Sequence, residues 1–166
     1  FITGHGELDE FAVKDLTEAL SEQYDVTRIR LDGKIDALSS KTDGVTYRIN
    51  NYEAAIIAKP DSAFSEKDLF ILDQFVMNGG KVLWLMDALR VDTDSLRTRD
   101  RYLATEYNLN LDDLLFQYGA RLKTNLVLDY QSTGVQLVTG TVGNAPQFDY
   151  FKYPYHVVAL PSINHP

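Results

Sequence analysis

The sequence contains no cysteine. Disulfides, thiolate-bound metals and a cysteine nucleophile are therefore excluded. The absence is compatible with an oxidising compartment but does not require one. No apolar run comes near the roughly 18 residues of a membrane span. No basic segment followed by an apolar one opens the chain, as a signal peptide would. There is no G-x-x-x-x-G-K-[S/T], which excludes a P-loop, and no G-x-S-x-G elbow to present a serine nucleophile. Histidine is scarce, with three residues in the whole chain. Positive charge is in deficit: 16 Lys and Arg stand against 24 Asp and Glu, a formal net charge of −8. Such a surface repels phosphate backbones. The one local basic run, Arg97, Arg99 and Arg101, is interleaved with Asp100 and flanked by Asp92 and Asp94. No nucleic-acid partner is expected.

What is present fits an ordinary globular domain. The 166 residues are 45% hydrophobic and 24% charged. A chain of this size buries about 70% of its extended-chain surface, enough for a real core. We expect one α/β domain over residues 1–166. Its opening, Phe1-Ile2-Thr3-Gly4, reads as the tail of a strand. A soluble fragment of a longer protein is the expectation, with any membrane anchor outside it.

The pattern predicts alternating strands and helices. A first strand ends at Thr3 and turns at Gly4-His5-Gly6. A helix is expected over about 9–23, with Leu8, Ala12, Leu16, Ala19 and Leu20 on one stripe. Asp25 to Leu31 reads as a strand, Asp32 to Gly44 as a loop and Val45 to Ile49 as a short extra strand. The apolar run Ala54 to Ala58 suits a strand buried on both faces of a parallel sheet. Ser65-Glu66-Lys67-Asp68 resembles a capping box, with Asp in place of the usual Glu. The helix it opens carries Leu69, Leu72, Phe75 and Val76 and stops at Asn78-Gly79-Gly80. Lys81 to Met86 is the next buried strand, with Asp87 just past its carboxyl end. Val91 to Thr105 reads as a long polar loop or helix. Asn110 to Tyr118 reads as an Asn-capped short helix, and Asn125 to Asp129, Val135 to Val142 and His156 to Leu160 as strands. The predicted fold class is an open, mainly parallel α/β sheet with flanking helices and extra strands at the C-terminal edge.

In open α/β sheets, ligands sit at the carboxyl ends of the strands. Gly4 to Glu7, Lys59-Pro60-Asp61 and Asp87-Ala88 fall there, so His5, Glu7, Asp61 and Asp87 are the candidate ligand-binding residues. The Gly4-x-Gly6 turn has the start of a dinucleotide fingerprint. Asp9 replaces the third glycine, and Glu7 and Asp9 would oppose a pyrophosphate, so a plain βα turn is the better reading. His5, Glu7 and Asp9 alternate like metal ligands, with Asp87 available as a further one. Alternation within a turn sends side chains apart, and no metal or other cofactor is assigned. Ser62, His5 and Asp87 could form a Ser-His-Asp set, or Asp87 could itself act as nucleophile, but no elbow motif supports either. The tail aromatics Phe148, Tyr150, Phe151, Tyr153 and Tyr155 fit a packed strand, an interface or a sugar-stacking surface.

Ile56 to Pro60 (IIAKP) and Phe64 to Asp87 (FSEKDLFILDQFVMNGGKVLWLMD) resemble the auxiliary subunit of gliding-motility-associated ABC transporters, the GldG type. The opening TGHGE and closing NHP are similar to that family's pattern too. The resemblance implies a bacterial envelope protein whose soluble region faces the periplasm, held by membrane segments outside this sequence. It implies permease and ATPase subunits of the same system as partners. It also implies a domain similar to that of intraflagellar transport proteins and related to the class I glutamine amidotransferase fold, which overlaps a flavodoxin-like architecture. In the amidotransferases a Cys follows the strand equivalent to Lys81 to Met86. Here Asp87 stands in that place, so the activity does not carry over. The resulting expectation is a non-enzymatic binding or assembly domain. Its rivals are a small-molecule or glycan-binding crevice, and a hydrolase using Asp87 and His5.

Overall fold

In the computed structural model, which describes residues 1–41, 48–91 and 103–158, the first element is β1 (Ile2–Thr3), followed by α1 (Lys14–Ser21). Next come β2 (Ile29–Arg30), β3 (Ser39–Lys41), β4 (Arg48–Asn50) and β5 (Ala54–Ala58). Then follow α2 (Glu66–Met77), β6 (Lys81–Leu85), β7 (Leu89–Arg90), β8 (Thr105–Glu106) and α3 (Asp112–Gln117). Two longer strands, β9 (Gly134–Val142) and β10 (Ala145–Lys152), complete the order. The chain divides into two compact units, Phe1–Thr124 and Asn125–Pro166. The architecture is mixed α/β, with short strands in small open sheets. The basic run at Arg97 to Arg101, most of the expected loop before Thr105, and Asn164-His165-Pro166 lie outside the described residues.

Within the first unit the β5–α2–β6 order forms as read, except that β6 is not a buried strand: Leu83 and Leu85 are exposed and Val82 and Trp84 only half-buried. β5 and β6 pair in parallel, Ala54 opposite Lys81 through Ala58 opposite Leu85. Ser65 caps α2 in extended conformation, and its hydroxyl oxygen accepts from the Asp68 N–H at 3.2 Å. The helix ends in paired bonds from Gly79 N–H to the Val76 carbonyl and from Gly80 N–H to the Phe75 carbonyl, both 2.9 Å. Gly79 sits at φ 88°, the left-handed position this ending requires. β1 pairs in parallel with β2, Ile2 opposite Ile29, and its other side approaches β5. The Leu8 N–H donates to the Ala58 carbonyl at 2.9 Å, so the segment after β1 crosses the carboxyl end of β5.

The core follows from this arrangement. Leu31, Ile57 and Leu72 are fully buried, with Ile2, Leu38, Phe64 and Phe75 almost so. They form one cluster, joined by Leu109, Leu111, Leu114 and Leu115 from the α3 region. Each such side chain contributes about 1.5–3 kcal/mol through removal from water. Phe1, Val13 and Ala58 make a smaller second cluster.

Several expectations are corrected. α1 begins at Lys14, not near residue 9, because Asp9 accepts the Ala12 N–H (2.8 Å) and holds a turn ahead of it. Val13 therefore takes the buried position, and Leu8, Leu16 and Ala19 of the expected stripe stay exposed. The segment read as a loop contributes β3, which pairs antiparallel with β4. The expected strand at 45–49 is met only at Arg48 and Ile49, since 45–47 lie outside the described residues. Asn110 does not cap α3: it adopts φ 58°, and its amide reaches the Phe64 carbonyl at 3.2 Å and Glu66 at 3.0 Å. The parallel pairs are β1–β2 and β5–β6; β3–β4, β7–β8 and β9–β10 are antiparallel.

The second unit is built on the β9–β10 hairpin, with an irregularity between Gln147 and Phe148. Residues 125–129 form no strand, because Asp129 accepts from the Gln131 and Val158 N–H groups at 2.9 and 3.0 Å and fixes a turn. His156 to Val158 are likewise not in a strand, and 159–160 lie outside the described residues. Phe148, Tyr150, Phe151 and Tyr155 are exposed, so they do not form a packed core.

Candidate functional site

The carboxyl ends of β1, β5 and β6 carry the residues singled out from the sequence. The Gly4-His5-Gly6 turn leaves β1 with both glycines in the positive-φ region, at 122° and 74°. Gly6 is required for space as well: a Cβ there would collide with the Asp61 carboxylate. The His5 carbonyl accepts the N–H groups of Asp61 and Ser62 at 2.9 and 3.0 Å. The turn after β1 is thus bound to the loop after β5.

The His5 side chain points inward. It is 5% exposed and stacks on Phe64, with ring centroids 3.8 Å apart. Its Nδ1 lies 3.1 Å from Glu7 Oε1, and its Nε2 lies 3.2 Å from Asp68 Oδ2. The His5 backbone N–H donates to Glu7 Oε2 at 2.7 Å, so Glu7 grips both ring and main chain. Asp68 is similarly occupied. Its Oδ2 accepts the Ser65 hydroxyl (2.6 Å) and its Oδ1 the Gly33 N–H (2.8 Å). All three side chains are nearly closed to solvent, at 6%, 2% and 8% exposure for His5, Glu7 and Asp68.

Burial by itself disfavours charge on each group. At His5 that effect is outweighed by hydrogen bonds to Glu7 and Asp68, and the imidazole is held above its ordinary value. At Glu7, burial is outweighed by bonds from the His5 ring and backbone, and the carboxyl is held low. At Asp68, burial is outweighed by the Ser65 hydroxyl, the Gly33 N–H and His5, with the same result.

Asp61 and Asp87 behave differently. Asp61 is exposed, and its carboxylate accepts the Ser62 hydroxyl at 2.6 Å. Asp87 is exposed and forms a surface ion pair with Lys59, Nζ to Oδ2 3.4 Å. Lys59, Trp84, Leu85, Met86 and Asp87 line a shallow open groove beside this pair. The structure therefore joins His5 with Glu7, and gives Asp61 and Asp87 separate partners. The Ser62 hydroxyl donates to Asp61, and neither that hydroxyl nor the Asp87 carboxylate is hydrogen-bonded to the His5 ring. Among the described residues, no group of three or more His, Asp or Glu side chains is arranged to hold a metal.

Sequence reasoning missed two members of this region. Asp68 was read as a helix-start acid only, since its partner His5 lies 63 positions away. The departure from the usual Glu was the available signal. The shorter side chain takes the Ser65 hydroxyl, Gly33 and His5 rather than the cap's own backbone. Lys59 falls at a strand end but is not among the sequence candidates; its φ of 52° turns the chain at the end of β5, where it meets Asp87.

Compared with known proteins, the chain matches one family model, described as an ABC-type uncharacterized transport system, over residues 1–166. No curated protein and no solved structure matches it.

Proposed function

The chain belongs to the ABC-type uncharacterized transport system family, and on that premise we propose that it acts as a non-enzymatic auxiliary domain of an ABC transporter, working in binding or complex assembly. The finer reading is a gliding-motility-type protein whose domain, residues 1–166, lies on the periplasmic side of the inner membrane beside a permease and an ATPase subunit. The amidotransferase-like or flavodoxin-like sheet belongs to the same proposal. Its support is the resemblance carried by the stretch from Ile56 to Asp87, together with the matching family.

One structural observation favours assembly over catalysis: the chemistry-bearing groups at the strand ends are spent on one another. His5 and Glu7 are turned inward and saturated by Asp68, the main chain and each other. A hydrolase using Asp87 and His5 needs both side chains facing one substrate; His5 is turned inward. Asp87 instead pairs with Lys59. The second reading, a small-molecule or glycan ligand, rests on the groove where Trp84 and the Lys59–Asp87 pair offer a stacking face and two charges.

A thermal-shift screen against divalent metals, nucleotides, sugars and cell-wall fragments separates the readings. A ligand at 100 times its Kd adds about 2.7 kcal/mol, a clear rise in melting temperature. The assembly reading predicts no shift from any class. A shift abolished by Asp87→Ala would overturn it in favour of the groove.

A further inference from the structure

His5 sits between two carboxylates from different parts of the chain, and both ring nitrogens face an oxygen: Nδ1 to Glu7 at 3.1 Å and Nε2 to Asp68 at 3.2 Å. A neutral imidazole has one N–H and one lone pair. It can donate to one of these carboxylates while presenting its lone pair to the other. Only the imidazolium donates to both. The geometry itself thus selects the doubly protonated ring.

Among the described residues, no Lys or Arg pairs with Glu7 or Asp68. Glu7 comes from the ring's own turn and Asp68 from the first turn of α2. Asp61, on the loop after β5, adds a third carboxylate against Gly6. From the β2 side, Arg30 approaches Gly4 but is committed to Asp32 at 2.6 Å. The Lys67 stem lies against Gly33. Among the described residues, neither Arg30 nor Lys67 forms an ion pair with Glu7 or Asp68. When His5 loses a proton, its ring donates to only one of the two buried carboxylates and the positive charge between them is gone, a costly state in a buried site.

We propose that His5, Glu7 and Asp68 form a proton-operated latch: the doubly protonated ring fastens the Gly4–Glu7 turn to the start of α2, and loss of one ring proton releases that turn. The consequence reaches beyond the ring. The His5 carbonyl holds the Asp61 and Ser62 N–H groups, so release loosens the loop at the carboxyl end of β5 as well. The latch gives the domain two states of its strand-end surface, selected by pH, whatever binds there.

The pH window follows from the directions of the shifts. His5 is raised above 6.5, so its contribution is complete below 6.5 and is lost as pH rises through the folded-state value. Glu7 and Asp68 are lowered from 4.5 and 3.8, so theirs are complete above those values and are lost as pH falls through the folded-state values. Stability from the latch is therefore greatest between about 4.5 and 6.5 and declines on the alkaline side.

The test uses the whole chain with 15N-labelled histidine. With three histidines in all, the ring signals are assigned by His156→Gln and His165→Gln. The expected result is a His5 ring protonated on both nitrogens at pH 6.5. On raising the pH, that state is lost together with amide-exchange protection at His5, Asp61 and Ser62, whose N–H groups are bonded within the latch, while Ile57 and Trp84 stay protected. His5→Gln is expected to remove the alkaline decline in melting temperature. A singly protonated ring at pH 6.5 would overturn the proposal. So would ring deprotonation that leaves the protection of the turn and loop unchanged. Should His5→Gln not fold, the ring spectrum and exchange data from the unmodified chain decide alone.

Discussion

At the scale of single residues, the turn after β1 depends on atoms that are absent. Gly6→Ala places a Cβ on the Asp61 carboxylate at a left-handed φ. We expect it to cost about 1–3 kcal/mol in urea unfolding, through clash and backbone strain together. Asp68→Asn keeps the shape but removes one of the two carboxylates that accept from the His5 imidazolium, and losing a charge-assisted buried hydrogen bond costs about 1.5–3 kcal/mol. The loss should be larger at pH 5.5 than at pH 9, because the neutral ring at high pH has less need of the second carboxylate. The sequence shows His5, Glu7 and the two glycines as a strand-end turn. It does not show that the turn closes on Asp68, because pairing across 63 positions leaves no local pattern. Asp61 and Asp87 were legible as strand-end residues, and their short-range or surface partners match what an exposed loop allows.

At the scale of elements, α2 supplies Ile71, Leu72 and Phe75 to the main core cluster. Ser65→Ala removes its cap and a hydroxyl bond to Asp68, for an expected loss of about 1 kcal/mol in chemical denaturation. Phe75→Ala empties a site that is 1% exposed and should cost about 3–5 kcal/mol. β5, α2 and β6 were readable almost to the residue, because a capped helix between two apolar runs is specified by local signals that agree with the packing. α1 was not readable at its start. Asp9 binds the Ala12 N–H and spends the first turn outside the helix, while a stripe of leucines suggests helix whether or not it is buried. β3 was missed because Ser39, Ser40 and Lys41 have no strand-like pattern; their pairing comes from β4 across the loop. Asn125 to Asp129 looked like a strand by composition, yet Asp129 commits its carboxylate to two backbone N–H groups and bends the chain.

At the scale of the whole molecule, the account is of an acidic ABC-transporter auxiliary protein whose strand-end groups are locked in internal pairs. The Lys59–Asp87 pair is one of the exposed ones, at 49% and 55%. Pairs of that kind contribute about 0–1 kcal/mol. Lys59→Ala and Asp87→Ala are therefore expected to melt within a few degrees of the parent, which makes them clean probes of binding. The family was legible most strongly in the Ile56 to Asp87 block, with TGHGE and NHP beside it; the partners were legible only through that family. The most direct measurement is co-purification of the full chain from native membranes with the permease and ATPase of its transport system, quantified by mass spectrometry. The account predicts that both subunits are recovered with it, and recovered equally with Asp87→Ala. Recovery of neither subunit, or a hydrolytic turnover abolished by Asp87→Ala, would contradict it.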